Sequence, residues 1–351
     1  MPSDKDFEQA EYLAGRLAKR DRHLRKKFGR AGTDCYRAYD RDIPEIPLAI
    51  DRYGGSLVVY LFERPYEKPD VEEAAWLSLM ADVAATTLGV ARQDIRLKTR
   101  RRLGTDEQYE AAGNGSGREG RALAPAAGKE SAGAVTGRRA GLTGVPARAP
   151  FAVMENGLSF LVDLDTYIDT GLFMDHRPAR EMVRRMASGG TVLNLFCYTG
   201  SFSVYALAGQ AASVTGVDLS NTYLEWAADN VRLNAFDDGR YTGVRSDVSA
   251  FLQQARAGGR SFDLIILDPP TFSNSSMMQG YLDVNRQWAS LVQACLRVLA
   301  PGGTRLFSSN SRSLKVDPLT VPEAVFSDIT RQSIPEDYRG TPHRTWLVRH
   351  V

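Results

Sequence analysis

Thr191-Val192-Leu193-Asn194-Leu195-Phe196-Cys197-Tyr198-Thr199-Gly200-Ser201 reads as a buried strand over 191–196, a sharp turn, and a helix over 201–208. The run is apolar and partly branched, then breaks at a glycine ahead of a second apolar stretch. Gly200 would let the backbone approach a ligand, and Ser201 would cap the helix. Only one glycine stands where a dinucleotide fold shows G-x-G-x-x-G, so a phosphate-cradling loop is disfavoured. Working outward, strand-like runs recur at 213–218, 241–245, 262–267 and 304–308. Helical stretches intervene at 177–187, 222–234, 248–257 and 282–299. Alternating units of this kind predict an α/β fold whose mostly parallel sheet carries helices on both faces. Ligands then bind beyond the carboxyl ends of the strands.

Three regions are expected. Residues 1–103 combine a helix bearing Leu13, Leu17, Leu24 and Phe28, strands near 48–50 and 57–62 joined at Gly54-Gly55, and a helix over 71–88. Residues 104–150 are rich in Gly, Ala, Arg and Ser and nearly free of aromatics. Such a composition cannot offset its ordering entropy, so it reads as a flexible insert. Residues 151–351 hold the α/β unit, led by a hairpin turning at Asn156-Gly157.

The 351 residues are 43% hydrophobic with a formal net charge of +2, so any nucleic-acid footprint must be a local patch. Cys35, Cys197 and Cys295 are far apart and form no C-x-x-C pair, which argues against a zinc knuckle or a disulfide framework. The N-terminus lacks the apolar run of a signal peptide, and no stretch of about 18 apolar residues occurs. A cytoplasmic protein without membrane or metal partners is expected.

Four motifs carry chemistry. Asp218, ending its strand, is placed to accept hydrogen bonds from both hydroxyls of a ribose, though a helix-capping aspartate reads the same way. Asp247 is placed to accept from an adenine amino group or to cap a helix. In Asp268-Pro269-Pro270-Thr271-Phe272, two prolines fix the backbone and withhold two N–H donors. Carbonyls and a carboxylate are left as acceptors, and the Phe272 ring can stack on a planar base. An acid after the second strand plus Asp-Pro-Pro after the fourth favours S-adenosylmethionine (SAM) over NAD. In the segment 169–177, Asp175 and Arg177 offer one partner of each sign to the methionine zwitterion, or else a helix cap and a solvated charge. A basic stretch from Arg16 to Arg30 and a second cluster at 98–102 are candidate phosphate contacts.

Tyr36–Glu45, Asp51–Gly54, Thr170–Arg177, Asn194–Ser201, Tyr223–Ala227 and Asp268–Ser275 together resemble the RlmK-type 23S rRNA guanine-N7 methyltransferases, which often form the C-terminal half of a fused RlmKL enzyme. The likeness covers nearly the whole chain apart from the insert. It implies a class I, Rossmann-like SAM-dependent fold with a seven-stranded sheet and a small N-terminal α+β module facing RNA. The partner half of the fused enzyme is absent, a departure that makes a free-standing version the expectation; the resemblance implies 23S rRNA or a pre-ribosomal large-subunit particle as partner. The cofactor candidates are Phe173, Asp175, Arg177, Asn194, Phe196, Tyr198, Gly200, Ser201, Asp218, Leu219, Asp247 and Val248. The acceptor-side candidates are Asp268, Pro269, Pro270 and Phe272. The RNA candidates are Arg20, Arg22, Arg25, Lys26, Lys27, Arg100, Arg101 and Arg102. His176 reads as a poor acid–base candidate.

Cytosine C5 needs a cysteine thiolate, and no cysteine follows the fifth strand or sits in the Asp-Pro-Pro loop. Guanine N7 carries an in-plane lone pair and no proton, so its methylation requires placement rather than a general base. An exocyclic amine would use the same acceptors. The resemblance favours N7.

Overall fold

The computed structural model describes residues 2–62, 69–100, 149–167, 169–236, 239–274 and 281–351, without the side chains of residues 99, 100, 273 and 274. The expected insert therefore lies outside the described residues except for its last two.

Helix α1 (Asp4–Arg30) starts at a capping box in which Ser3 and Asp6 exchange hydrogen bonds. It carries acids in its first turn and bases in its last. Its buried residues Leu13, Leu17, Leu24 and Phe28 follow helical spacing and meet Trp76 and Met80 of α2 (Asp70–Leu88). Both helices cover one face of a four-stranded sheet ordered β1 (Cys35–Asp40), β2 (Leu48–Tyr53), β3 (Ser56–Phe62) and β4 (Ile95–Arg100). The first three strands are antiparallel; α2 makes the crossover that lets β4 run parallel to β3.

The opposite face of this sheet is not solvent. Cys35, Ala49, Tyr53, Val58 and Tyr60 join a second core containing Phe160, Val183 and Tyr205. That is why β1, β2 and β3 are buried nearly throughout instead of alternating. The hairpin of β5 (Phe151–Glu155) and β6 (Leu158–Val162), turning at Asn156-Gly157, fills the space between the two sheets.

The second sheet has seven strands. Its central members are β7 (Thr191–Leu195), β8 (Ser213–Asp218), β9 (Tyr241–Arg245) and β10 (Phe262–Leu267). β13 (Leu299–Ser309), β14 (Ala324–Asp328) and β15 (Arg344–His350) complete it, in the order β14-β15-β13-β10-β7-β8-β9. Only β15 runs against its neighbours. Its helices include α3 (Arg177–Met186), α4 (Ser201–Ala208), α5 (Asn221–Leu233), α6 (Val248–Ala257) and α7 (Val284–Leu296). This is the α/β fold with a parallel core that the alternation implies, and the Rossmann-like, seven-stranded sheet that the resemblance implies. The chain leaves β7 toward β8 and β9, then returns to lay β10 on the other side. The crevice between the ends of β7 and β10 is therefore the switch point.

Two elements differ from the sequence reading. The helix expected from Leu282 begins at Val284, because Asp283 caps it and Tyr281–Asp283 instead forms β12, pairing with β11 (Phe272–Asn274). The strand expected at 304–308 starts earlier, at Leu299, where it pairs with Phe262 before a register shift.

Candidate active site

The site is organised by the turn after β7. Phe196, Tyr198 and Gly200 have φ of 55°, 50° and 73°, so every second residue is left-handed. For two aromatic residues that conformation is strained, and it persists only where neighbours impose it. They do so here. Thr199 Oγ1 donates to the Gly171 carbonyl at 2.6 Å, and Asn230 Nδ2 donates to the Thr199 carbonyl at 2.9 Å. The Cys197 N–H meets the Val217 carbonyl at 3.0 Å. The fold thus spends several hydrogen bonds on one shape of loop.

The glycine has a different purpose from the one expected. A Cβ on Gly200 would lie 2.6 Å from Cβ of Ala227 on α5, so its absence admits a helix rather than a ligand. Gly200 is also the residue that begins α4, with no side-chain cap; Ser201 is the first helical residue and does not cap. Gly200→Ala should therefore lower unfolding stability by roughly 1–3 kcal/mol, from overpacking and backbone strain together. A wild-type midpoint in urea would contradict this origin.

Asp218 ends β8 beside this loop. Its Oδ2 accepts the Tyr198 N–H at 3.0 Å and its Oδ1 accepts the Ser220 N–H at 2.9 Å. Burial raises its pKa above the ordinary carboxylate value, against the pull of those N–H groups. No side-chain cation among the described residues contributes to that balance. A half-buried carboxylate without a counter-charge, its rotamer set by backbone donors, suits a ligand that brings neutral O–H donors. Both ribose hydroxyls meet that description. The aromatic rings of Tyr198, Tyr223 and Phe173 form one wall nearby, with Tyr198 4.6 Å from Tyr223 and 5.3 Å from Phe173. Leu219 is half-buried next to the carboxylate.

The other cofactor candidates divide. Asp247 caps α6 by accepting the Ala250 N–H at Oδ1, the bland reading of that residue. Val248 is packed in the apolar core. Asn194 is buried and donates to Ser203, so its side chain is spent inside the fold. The expected Asp175–Arg177 clamp on the methionine zwitterion is corrected outright. Arg177 is 4% exposed, donates to Asp337 and the Cys35 carbonyl, and stands 3.4 Å from Glu155. Asp175 meets His343 at 3.1 Å. Arg177 thus ties the α/β unit to the N-terminal sheet and cannot also grip a free carboxylate.

On the other side of the switch point, Asp268 follows β10. Its Oδ1 accepts from Ser308 Oγ at 2.5 Å, and its Oδ2 is 3.8 Å from Nε2 of His176. Pro269 is buried and Pro270 exposed, so the corner is anchored on one side and presented on the other. Thr271 is pinned to Asn310 at 2.6 Å, and half-buried Phe272 opens β11. His176 and His343 are functional candidates that the sequence did not offer. They are 167 positions apart, and only the fold stacks them.

All three thiols are buried, and burial raises each pKa: Cys295 to about 11, Cys35 and Cys197 well above their ordinary value. Each stays protonated near neutrality.

The basic candidates also divide. Arg20 donates to the Ala38 and Asp337 carbonyls, Arg25 pairs with Asp21, and Lys27 pairs with Glu336 at 2.6 Å. Arg20, little exposed, is corrected from a phosphate ligand to an internal tie, whereas Arg25 and Lys27 stay exposed in surface pairs. Lys19, Arg22 and Lys26, at helical spacing, are exposed and line one groove of α1. Arg100 ends β4 with its side chain outside the described residues, as are Arg101 and Arg102 altogether.

Residues 59–333 match the model of the S-adenosylmethionine-dependent methyltransferase family. The chain belongs to that family. The methyltransferase is 41% identical, over 96% of its length and 87% of the relative's, to ribosomal RNA large subunit methyltransferase K of Neisseria meningitidis. It is 38% identical to ribosomal RNA large subunit methyltransferase K/L of Chromohalobacter salexigens, matching 97% of this chain but only 42% of that longer protein. Among solved structures, a methyltransferase crystallised with SAH superposes with a TM-score of 0.69 at 21% identity, covering 97% of this chain and 81% of the other. One from Agrobacterium tumefaciens gives 0.56 at 18%, covering 91% and 90%. These likenesses fix the fold as that of class I methyltransferases. The methyltransferase uses SAM, which when bound supplies an electrophilic sulfonium methyl group.

Proposed function

We propose that this methyltransferase places the methyl group on N7 of a guanine in 23S ribosomal RNA. The observation that carries the reading is the 41% identity, across almost the entire chain, to a protein named for the large-subunit RNA. The site chemistry supports the choice of atom. Guanine N7 attacks with a lone pair it already has, so the protein need only align the ring with the methyl group and exclude water. Asp218 and the left-handed loop hold the adenosine end. The Asp268 carboxylate receives the N–H edge of the guanine, and Phe272, beside the stiff Pro269-Pro270 corner, offers it a stacking face. A methylated N7 gives the purine a positive charge, and the oxygens of Asp268 at the N–H edge favour that charge as it develops. Cytosine C5 is disfavoured because each thiol is buried and protonated.

The exposed face of Lys19, Arg22 and Lys26 is the phosphate-contacting surface in this reading. No described helix is long and apolar enough to cross a membrane. The setting proposed is the cytoplasm, on 23S rRNA or an assembling large subunit. Incubating the protein with 23S rRNA and methyl-labelled SAM should load label on the RNA, and label confined to protein or small molecules would refute the acceptor class. The K19E/R22E/K26E variant should bind RNA at least 10-fold more weakly in low salt and with a shallower salt dependence, while SAM affinity stays unchanged. An equal loss of both would place these charges in folding rather than docking.

A further inference from the structure

His176 stands between Asp175 and Arg177 at the start of α3, is 6% exposed, and has no part in the transfer described above. Its ring lies face to face with that of His343, centroids 4.0 Å apart and planes 13° from parallel, and meets Phe202 edge-on at 5.8 Å. Its Nε2 is 3.8 Å from Oδ2 of Asp268, and its buried Nδ1 has no hydrogen-bond partner among the described residues. His343 is fixed at both nitrogens, Nδ1 to Asp175 at 3.1 Å and Nε2 to Ser333 Oγ at 3.1 Å.

One carboxylate oxygen and two imidazole nitrogens of Asp175, His176 and His343 lie within 4.8 Å of one another. They do not converge as metal ligands would. Stacked rings direct their in-plane lone pairs along parallel planes, and both nitrogens of His343 are already bonded. The array instead holds one ring edge against Asp268. His343, bonded at both nitrogens, gives the stacked His176 ring a fixed partner.

We propose that His176, clamped on His343, is the positioning residue for Asp268, fixing the carboxylate that receives the acceptor base. The inference rests on that reading of Asp268. With Ser308 holding Oδ1 and His176 at Oδ2, the carboxylate has both sides defined before the base arrives. At 3.8 Å the contact is electrostatic and steric rather than a hydrogen bond. Charge matters as well as geometry. Burial pushes the His176 pKa below the ordinary histidine value; Asp268 and Asp175 pull it up, and His343 and Arg180 push it down. The ring is therefore neutral near pH 7 and sets no cation beside Oδ2. Protonating His176 sets a cation on Oδ2, in competition with the guanine edge. Turnover then falls as pH drops through that lowered pKa.

The test is a double-mutant cycle on kcat at saturating SAM and RNA, with SAM affinity measured alongside. His176→Phe, which keeps a ring for stacking, should lose roughly 10-fold or more in kcat with SAM affinity unchanged. In an Asp268→Asn background the same change should cost little, because the group it acts through is already impaired. His176→Gln, which restores an N–H, should recover part of the loss and lack the acidic limb of the wild-type pH profile. Multiplicative losses across the cycle, or full kcat in both His176 variants, would overturn the inference alone. Wild-type kcat in Asp268→Asn would overturn the reading of Asp268 and the inference with it.

Discussion

Asp218→Ala should weaken SAM binding by about 10²-fold or more. Each charge-assisted bond from a ribose hydroxyl is worth roughly 1.5–3 kcal/mol, and two of them are lost. No neighbouring side chain substitutes, because the carboxylate is held by the backbone N–H groups of Tyr198 and Ser220. Calorimetry on the variant reads the affinity, and its denaturation midpoint shows whether the loop still folds. Unchanged affinity in a folded variant would remove Asp218 from the site. The pH dependence has a definite sign. The folded-state pKa is raised by burial, so Asp218 gains its proton at a higher pH than an ordinary aspartate. A protonated carboxyl cannot accept from both hydroxyls. SAM affinity should therefore fall as pH drops through that raised value, earlier than a solvent-exposed carboxylate would lose it.

The second large effect is on stability. Arg180 is 1% exposed and Glu155 fully buried, joined by two hydrogen bonds of 2.8 Å, with Tyr205 Oη also donating to the same carboxylate. Arg180 in addition donates to the carbonyl of Phe173, so it ties the hairpin to the segment that leads into the site. Arg180→Met strands the Glu155 charge in the core, next to Arg177 alone. A loss of about 3–5 kcal/mol in unfolding free energy is expected. Replacing both partners with apolar residues of similar volume should restore much of it, since the penalty comes from the unpaired charge. Denaturant titration of the single and double variants measures this. A wild-type midpoint in Arg180→Met would contradict the account.

The parallel sheet was legible because its central strands β7, β8 and β10 are buried on both faces and its turns fall at Gly200, Asp218 and Asp268. Those features follow from local chemistry. The places of Asp218 and Asp268 were legible for the same reason, one ending and one following a buried strand. The function of Arg177 was not, since its partners Asp337 and Cys35 lie 160 and 142 positions away. A cation in a helix-opening motif looks identical whether it grips a ligand or a buried aspartate. The His176–His343 stack was hidden by the same distance in sequence. Arg20 shares a helix with Lys19, Arg22 and Lys26, and only its angular position separates an internal tie from exposed charge. The short β11–β12 pair escaped notice because three-residue strands carry no readable period.

The central claim, methylation at N7 of guanine, meets its most direct test in reductive strand scission. An N7-methylated guanine loses its aromatic imidazole character on borohydride treatment, and aniline then cuts the chain at that nucleotide. After reaction of 23S rRNA with SAM and this protein, cleavage at a discrete guanine, matched in position by the transferred label, is the predicted result. Label recovered in 5-methylcytosine or on an exocyclic guanine amine, with the RNA left uncut, would contradict it.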